Sequence, residues 1–185
     1  MSEELKTNGM SPTGTVSFPS VFEAKSFQGN EGKFEVTLLF KAGTDLGALK
    51  KAAKAAQDKK WPNGRPKGAF RSPFRDGNEK DNLTGYEDTT FVKFSSKNQP
   101  GLVGPDKTPI INASEFYPGC EGRVTFNAYA YDFNGNRGIA FGLNNVQKTG
   151  EGSPLSSMRP AEDDFDAIDS PASGTTDQFE DDWES

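Results

Sequence analysis

The sequence predicts an all-β body, a small β-barrel with one appended helix and long loops, followed by a disordered acidic C-terminal tail. Three observations predict it. Five segments alternate apolar and polar residues with a period of two, the pattern of half-buried strands. One segment is rich in Ala and Lys, both good helix formers. The charge also changes sign along the chain: residues 151–185 hold eleven acids against one base, Arg159, whereas residues 1–150 hold sixteen acids and twenty bases. Five strands, one helix and long loops in about 140 residues suit a small barrel better than a layered α/β fold. The expected division is a flexible N-terminus (1–12), a β-domain (13–148) and the tail (149–185).

The first strand is expected over Thr13 to Phe22, with Val16 and Phe18 on one face and a bend or sheet edge at Pro19, which has no amide to donate. Turn residues from Gln28 to Gly32 lead into Lys33 to Lys41, where Phe34, Val36, Leu38 and Phe40 alternate on a buried face. Thr44 or Asp45 can cap a helix running to about Lys60, with Leu46, Leu49, Ala53 and Ala56 as its apolar stripe. Trp61 to Glu87 carries Pro62, Pro66 and Pro73 with no period, and is expected to be mobile or wrapped over the body. Thr90 to Lys97 gives a third strand and Asn98 to Asn112 another loop. Arg123 to Phe133 and Arg137 to Gln147 form a hairpin turned at Asn134-Gly135-Asn136. From Thr149 onward Gly, Ser, Pro and acids dominate, and too little apolar area remains to order the chain.

Composition narrows the chemistry. There is no His and one Cys, Cys120, so an imidazole base, an intrachain disulfide and a structural zinc site are all excluded. No phosphate-binding glycine loop is present, and the acids of the body are scattered, so an enzyme, a cofactor or a metal is not expected. No apolar run of about 18 residues suggests a membrane span or a leader, and a cytoplasmic protein is the plain reading.

The strand at Arg123 carries the functional signal. One face holds Val124, Phe126, Ala128 and Ala130; the other holds Arg123, Thr125, Asn127, Tyr129, Tyr131 and Phe133. Alternate residues on a strand stand roughly 6.5–7 Å apart, close to the spacing of splayed nucleotides, and aromatic faces accept stacked bases of any identity. The same row also fits a second apolar layer beneath a loop or the helix. Gly138, Ala140 and Gly142 of the return strand face outward beside it, leaving room for a ligand or simply relieving crowding. If Val92 and Phe94 face the core, Phe91, Lys93 and Lys97 join this outer face. From Leu46 to Arg75 nine bases, among them Lys50, Lys54, Arg65, Arg71 and Arg75, interleave with Trp61, Phe70 and Phe74. Bases neutralise phosphates and aromatics stack on nucleobases, although a lysine-rich helix alone can be an ordinary solvated face. The tail twice sets an aromatic among acids, at Asp163-Asp164-Phe165-Asp166 and at Phe179-Glu180-Asp181-Asp182-Trp183.

Phe91 to Lys97 with Pro100-Gly101, Glu115 to Cys120, Gly122-Arg123, Asn127 to Tyr131, Asn134 to Asn136, Gly138 to Ala140 and Gly142 to Gln147 together resemble a family of bacteriophage single-stranded-DNA-binding proteins. The likeness spans about Gly14 to Lys148, and Ala161 to Phe165 resembles that family's tail. It implies an OB-fold domain over 13–148, sequence-tolerant binding of single strands during replication or recombination, and a tail that contacts phage or host replication proteins in the host cytoplasm. It gives weight to Arg123, Tyr129 and Tyr131. One departure stands out: an OB-fold places its helix after the third strand, whereas this sequence places one after the second, so Trp61–Glu87 either hides a strand or elaborates the barrel. Stacking is therefore expected from Tyr129, Tyr131, Phe133, Phe91 and Trp61, phosphate contact from Arg123, Lys93, Lys97, Lys50, Lys54, Arg65, Arg71 and Arg75, and protein contact from Phe165, Phe179, Asp181, Asp182 and Trp183. The competing expectation is an acidic interaction protein or DNA mimic that binds no nucleic acid.

Overall fold

The computed structural model describes residues 6–27, 30–80, 83 and 85–155. Eight strands and one helix follow in the order β1 (Asn8–Met10), β2 (Gly14–Phe27), β3 (Asn30–Lys41), α1 (Gly47–Lys60), β4 (Arg75–Asp76), β5 (Thr89–Ser96), β6 (Gly101–Val103), β7 (Glu121–Phe133) and β8 (Asn136–Gly150). Pairing runs from β7 to β2, β3, β5 and β8 and returns to β7, so the five long strands form a closed circuit. All pairings in it are antiparallel except β5 with β8, where Phe94 lies opposite Phe141.

Alternation in the sequence places the core inside this circuit. Val36, Leu38 and Phe40 of β3, Val92 and Phe94 of β5, Val124, Phe126 and Ala128 of β7, and Ile139, Phe141 and Leu143 of β8 are buried together. Phe94, Phe126 and Phe141 meet with centroids 5.1 to 6.1 Å apart, and each is almost fully enclosed. Burying an apolar side chain of this size stabilises a fold by roughly 1.5–3 kcal/mol, so the trio anchors the closure. The β7–β8 turn has positive φ at both Asn134 (50°) and Gly135 (79°), as the two-residue turn that matches strand twist requires.

The helix packs on β7. Leu49, Ala52, Ala53 and Ala56 share one cluster with Ala128, and Ala130 packs against it. Small residues on both partners let the two backbones approach closely. Its start differs from expectation: Leu46 occupies the cap position, and the Asp45 carboxylate accepts from the Gly47 amide at 2.9 Å.

Three further differences, and one alternative that the sequence left open, have local causes. Phe18 does not share the face of Val16; its φ of 43° and a register shift between Ser17 and Ser20 turn it outward beside Pro19. Residues 8–10, expected within a flexible N-terminus, instead pair with β7, Asn8 opposite Asn127. The Trp61–Glu87 loop is wrapped over the body and does hold a short strand, β4, which pairs with Phe91 and Thr90. Order extends past Lys148: β8 runs to Gly150, and the chain stays attached to the body as far as Leu155, whose amide donates to the Pro118 carbonyl at 2.9 Å.

Candidate nucleic-acid interface

The inward side of β7 is committed to the core, which leaves Arg123, Thr125, Asn127, Tyr129, Tyr131 and Phe133 on its outer side. The lower half of this row is engaged within the protein. Arg123 donates through Nε to the Gln147 side chain at 2.9 Å, the Thr125 hydroxyl accepts from the Asn145 amide, and Asn127 Oδ1 accepts from the Thr7 hydroxyl. The upper half is open. Phe133 is 71 % exposed and Tyr129 42 %, with Tyr131 half-buried between them. On β8, Ala140 stands opposite Tyr129 and Gly138 opposite Tyr131, with Gly142 one alternate pair further down opposite Asn127, so nothing bulky on that strand rises beside the two tyrosine rings. A Cβ placed on Gly142 would already touch the Tyr129 ring at 3.9 Å. Burial, and then the neighbouring Tyr131, push the Tyr129 phenol above its ordinary pKa. Its ring therefore stays neutral at physiological pH and adds no negative charge to the face.

The basic loop reaches this open half. The Arg71 amide donates to Arg137 O at 2.8 Å, and the Ile139 amide donates to Arg71 O at 3.2 Å, which zips the loop to β8 at Gly138. The exposed Arg71 guanidinium reaches Asn136 Oδ1 at 3.4 Å, beside the hairpin turn. Arg137, ion-paired with Asp132 at 3.1 Å, also donates to the Lys67 carbonyl. Upstream, the Arg65 guanidinium lies 4.3 Å from the centre of the Phe70 ring, and Trp61 meets Phe70 edge-on at 6.2 Å. The loop thus presents a cation on an aromatic face at one point and a cation beside the hairpin turn at another.

Not every expected residue joins this surface. Phe91 is a correction: it is buried in a small second core with Leu39 and Tyr86, under the Arg75 guanidinium, because the loop folds Tyr86 over it at 5.3 Å. Gly138 is another: its open side is filled by the Arg71 backbone and leaves no room for a ligand. Trp61 is half-buried against the core cluster and shows only part of its ring. Lys93 is paired with Glu35 at 2.7 Å, Lys54 with Asp58 at 3.0 Å and Arg75 with Glu79 at 3.6 Å. Lys50, Arg65, Arg71 and Lys97 are exposed, and none of the four forms an ion pair among the described residues. Phe165, Phe179, Asp181, Asp182 and Trp183 lie outside the described residues.

Sequence reasoning missed Arg137 and Asn136, which set the loop and Arg71 against the hairpin. The available signal was Gly138 itself, since a glycine inside a strand often marks a close backbone approach.

Fold and surface together define a mostly β protein with one helix, carrying an open aromatic row flanked by arginine. The chain belongs to the family of the Enterobacter phage Enc34 ssDNA-binding protein, whose model matches residues 13–178. Its fold is similar to that of the single-stranded DNA-binding protein from bacteriophage Enc34 in complex with ssDNA, at 17 % identity and a TM-score of 0.68, covering 84 % of this chain and 97 % of that one. The same phage protein in a second structure gives 19 % identity and 0.65, covering 86 % and 93 %. The structure of gp2.5, a single-stranded DNA-binding protein encoded by bacteriophage T7, gives 15 % identity and 0.53, covering 84 % and 98 %. No curated protein matches this chain.

Proposed function

We propose that this chain binds single-stranded DNA on the outer face of β7, with Tyr129, Tyr131 and Phe133 as the floor on which successive bases stack. The observation that carries this reading is the open upper half of the row, rings at two-residue spacing near Arg71, which forms no ion pair among the described residues, in a chain whose family is one of phage ssDNA-binding proteins. Arg71 addresses the phosphates next to Tyr131, Arg65 and Lys50 extend the positive track along the loop and helix, and Arg123 marks its lower end. Lys54, Lys93 and Arg75 contribute less, because each already faces a carboxylate. Stacking and counterion release carry no base code, so binding is salt-sensitive and weakly sequence-dependent.

The closed five-strand circuit supports an OB-fold barrel, elaborated by α1 and the Trp61–Glu87 loop. In this reading the protein coats single strands during phage replication or recombination in the host cytoplasm, with no catalytic step of its own. The acidic tail competes with DNA for the basic face and, once displaced, recruits replication proteins through Phe165, Phe179, Asp181, Asp182 and Trp183. Titrating labelled oligo-dT and the matching duplex at two salt concentrations tests the core of this. The expected result is a clear preference for oligo-dT that weakens as salt rises; equal or stronger duplex binding overturns it.

A further inference from the structure

A groove of about 840 Å³ lies between the bulged part of β2, residues 18–24, and the segment carrying Ala113 and Phe116 to Pro118. It shares no residue with the aromatic row of β7. Phe18, Val21, Phe22 and Tyr117 give it an apolar, aromatic wall, and Glu23 is the one charged residue among its described lining. Phe18 stands there 55 % exposed in a backbone conformation that bulky residues rarely adopt. An outlier held by its surroundings points toward use. The C-terminal segment is fastened at the rim of this groove. Tyr117 donates to the Glu151 carboxylate and accepts from the Gly152 amide at 3.1 Å. The Leu155 amide then bonds Pro118, a lining residue, at 2.9 Å.

We propose that this groove receives the chain's own next segment, Ser156-Ser157-Met158-Arg159-Pro160, with Met158 among the rings and Arg159 against Glu23. Three arguments select this occupant. Three residues of extended chain span about 10 Å, and Leu155 is already bonded to Pro118 of the lining, so the groove lies within reach of Met158. A thioether is unbranched, adapts to irregular apolar walls and is attracted to aromatic rings. Arg159 is the single base after residue 150, and the wall it would meet carries one carboxylate. The acidic clusters from Glu162 onward are unsuited, because Glu23 would repel them. Docking this neutral-to-basic stretch fixes where the acidic part begins, on a surface separate from the β7 face.

The chain has three methionines, Met1, Met10 and Met158, so methyl NMR of the full-length protein isolates the reporter. The Met158 methyl is expected to be shifted by ring currents away from its position in a free 156–160 peptide, with contacts to the Phe22 and Tyr117 rings. Glu23→Lys should move it toward the free position, and adding Arg159→Glu should restore the shift. A Met158 methyl at the free position without ring contacts overturns the proposal. So does a shift that grows with protein concentration, which would place a neighbouring copy's segment in the groove.

Discussion

Replacing Gly138 by alanine tests whether the basic loop is truly fastened beside the aromatic row. A Cβ at this position would lie 2.5 Å from Arg71 O, 2.8 Å from the Tyr131 hydroxyl and 2.9 Å from Arg71 Cβ. Backbone cannot yield as a flexible side chain does, so two responses are open. The loop lifts and loses the bonds from Arg71 N to Arg137 O and from Ile139 N to Arg71 O, at about 0.5–1.5 kcal/mol net each. Alternatively it stays and the strand distorts, at about 1–3 kcal/mol for overpacking. Either way Gly138→Ala destabilises the fold by about 1–3 kcal/mol, read from urea unfolding. Lifting also carries Arg71 away from Tyr131, so the log–log salt slope for oligo-dT falls by about 0.7 for each phosphate left without its cation. Arg71→Ala serves as the reference, because it loses the cation while keeping the backbone bonds and should change the slope with little effect on stability. A Gly138→Ala protein with unchanged urea midpoint and unchanged salt slope refutes the close approach and the role given to it.

Three further outcomes follow from the same geometry. Arg71→Ala should weaken oligo-dT binding more than Lys54→Ala, since Lys54 already faces Asp58 at 3.0 Å; equal losses in fluorescence titration would assign the helix a larger share. Ending the chain after Leu155 should tighten oligo-dT binding at low salt if the acidic tail competes for the face, whereas unchanged affinity removes that competition. The cut belongs after Leu155 because removing residues 151–155 also strips Glu151 from Lys148 and Leu155 from the Tyr86 cluster. The hydrogen bond from Lys148, and then that from Tyr117, hold the Glu151 carboxyl below its ordinary pKa. A depressed carboxyl stabilises the fold above its unfolded pKa and loses that contribution as pH falls through the folded value. The stability gap between wild type and Glu151→Gln should therefore close as pH falls below the ordinary carboxylate range; a gap that stays constant from pH 7 to acid means the clasp does not titrate.

The strand faces were legible in the sequence because a period of two records which side is buried. Val36, Leu38 and Phe40, and Val124, Phe126 and Ala128, all lie where alternation puts them. The outer row of β7 was legible for the same reason, as its complement. Alternation fails where the backbone leaves the regular strand: the positive φ at Phe18 and its register shift reverse a face that counting by two assigns inward. It also fails where a distant segment decides burial. Phe91 reads as outward and is outward from the main core, yet Tyr86, five residues away in an aperiodic loop, covers it. Gly138 is open along its own strand and is filled by Arg71, sixty-seven positions earlier. The attachment of residues 151–155 was hidden for a similar reason, since it depends on bonds to Tyr117 and Pro118 and on Leu155 packing against the Tyr86 cluster, all partners distant in the sequence.

The most direct test of DNA binding on β7 is the affinity of Tyr129→Ala/Tyr131→Ala for oligo-dT, measured beside its urea midpoint. Stacking contributes about 1–3 kcal/mol per base, so losing two platforms predicts at least roughly tenfold weaker binding. Tyr129 is well exposed and Tyr131 half-buried, both outside the buried core, so the domain should remain folded. A folded double variant that binds oligo-dT with wild-type affinity contradicts this site and moves it off the β7 face.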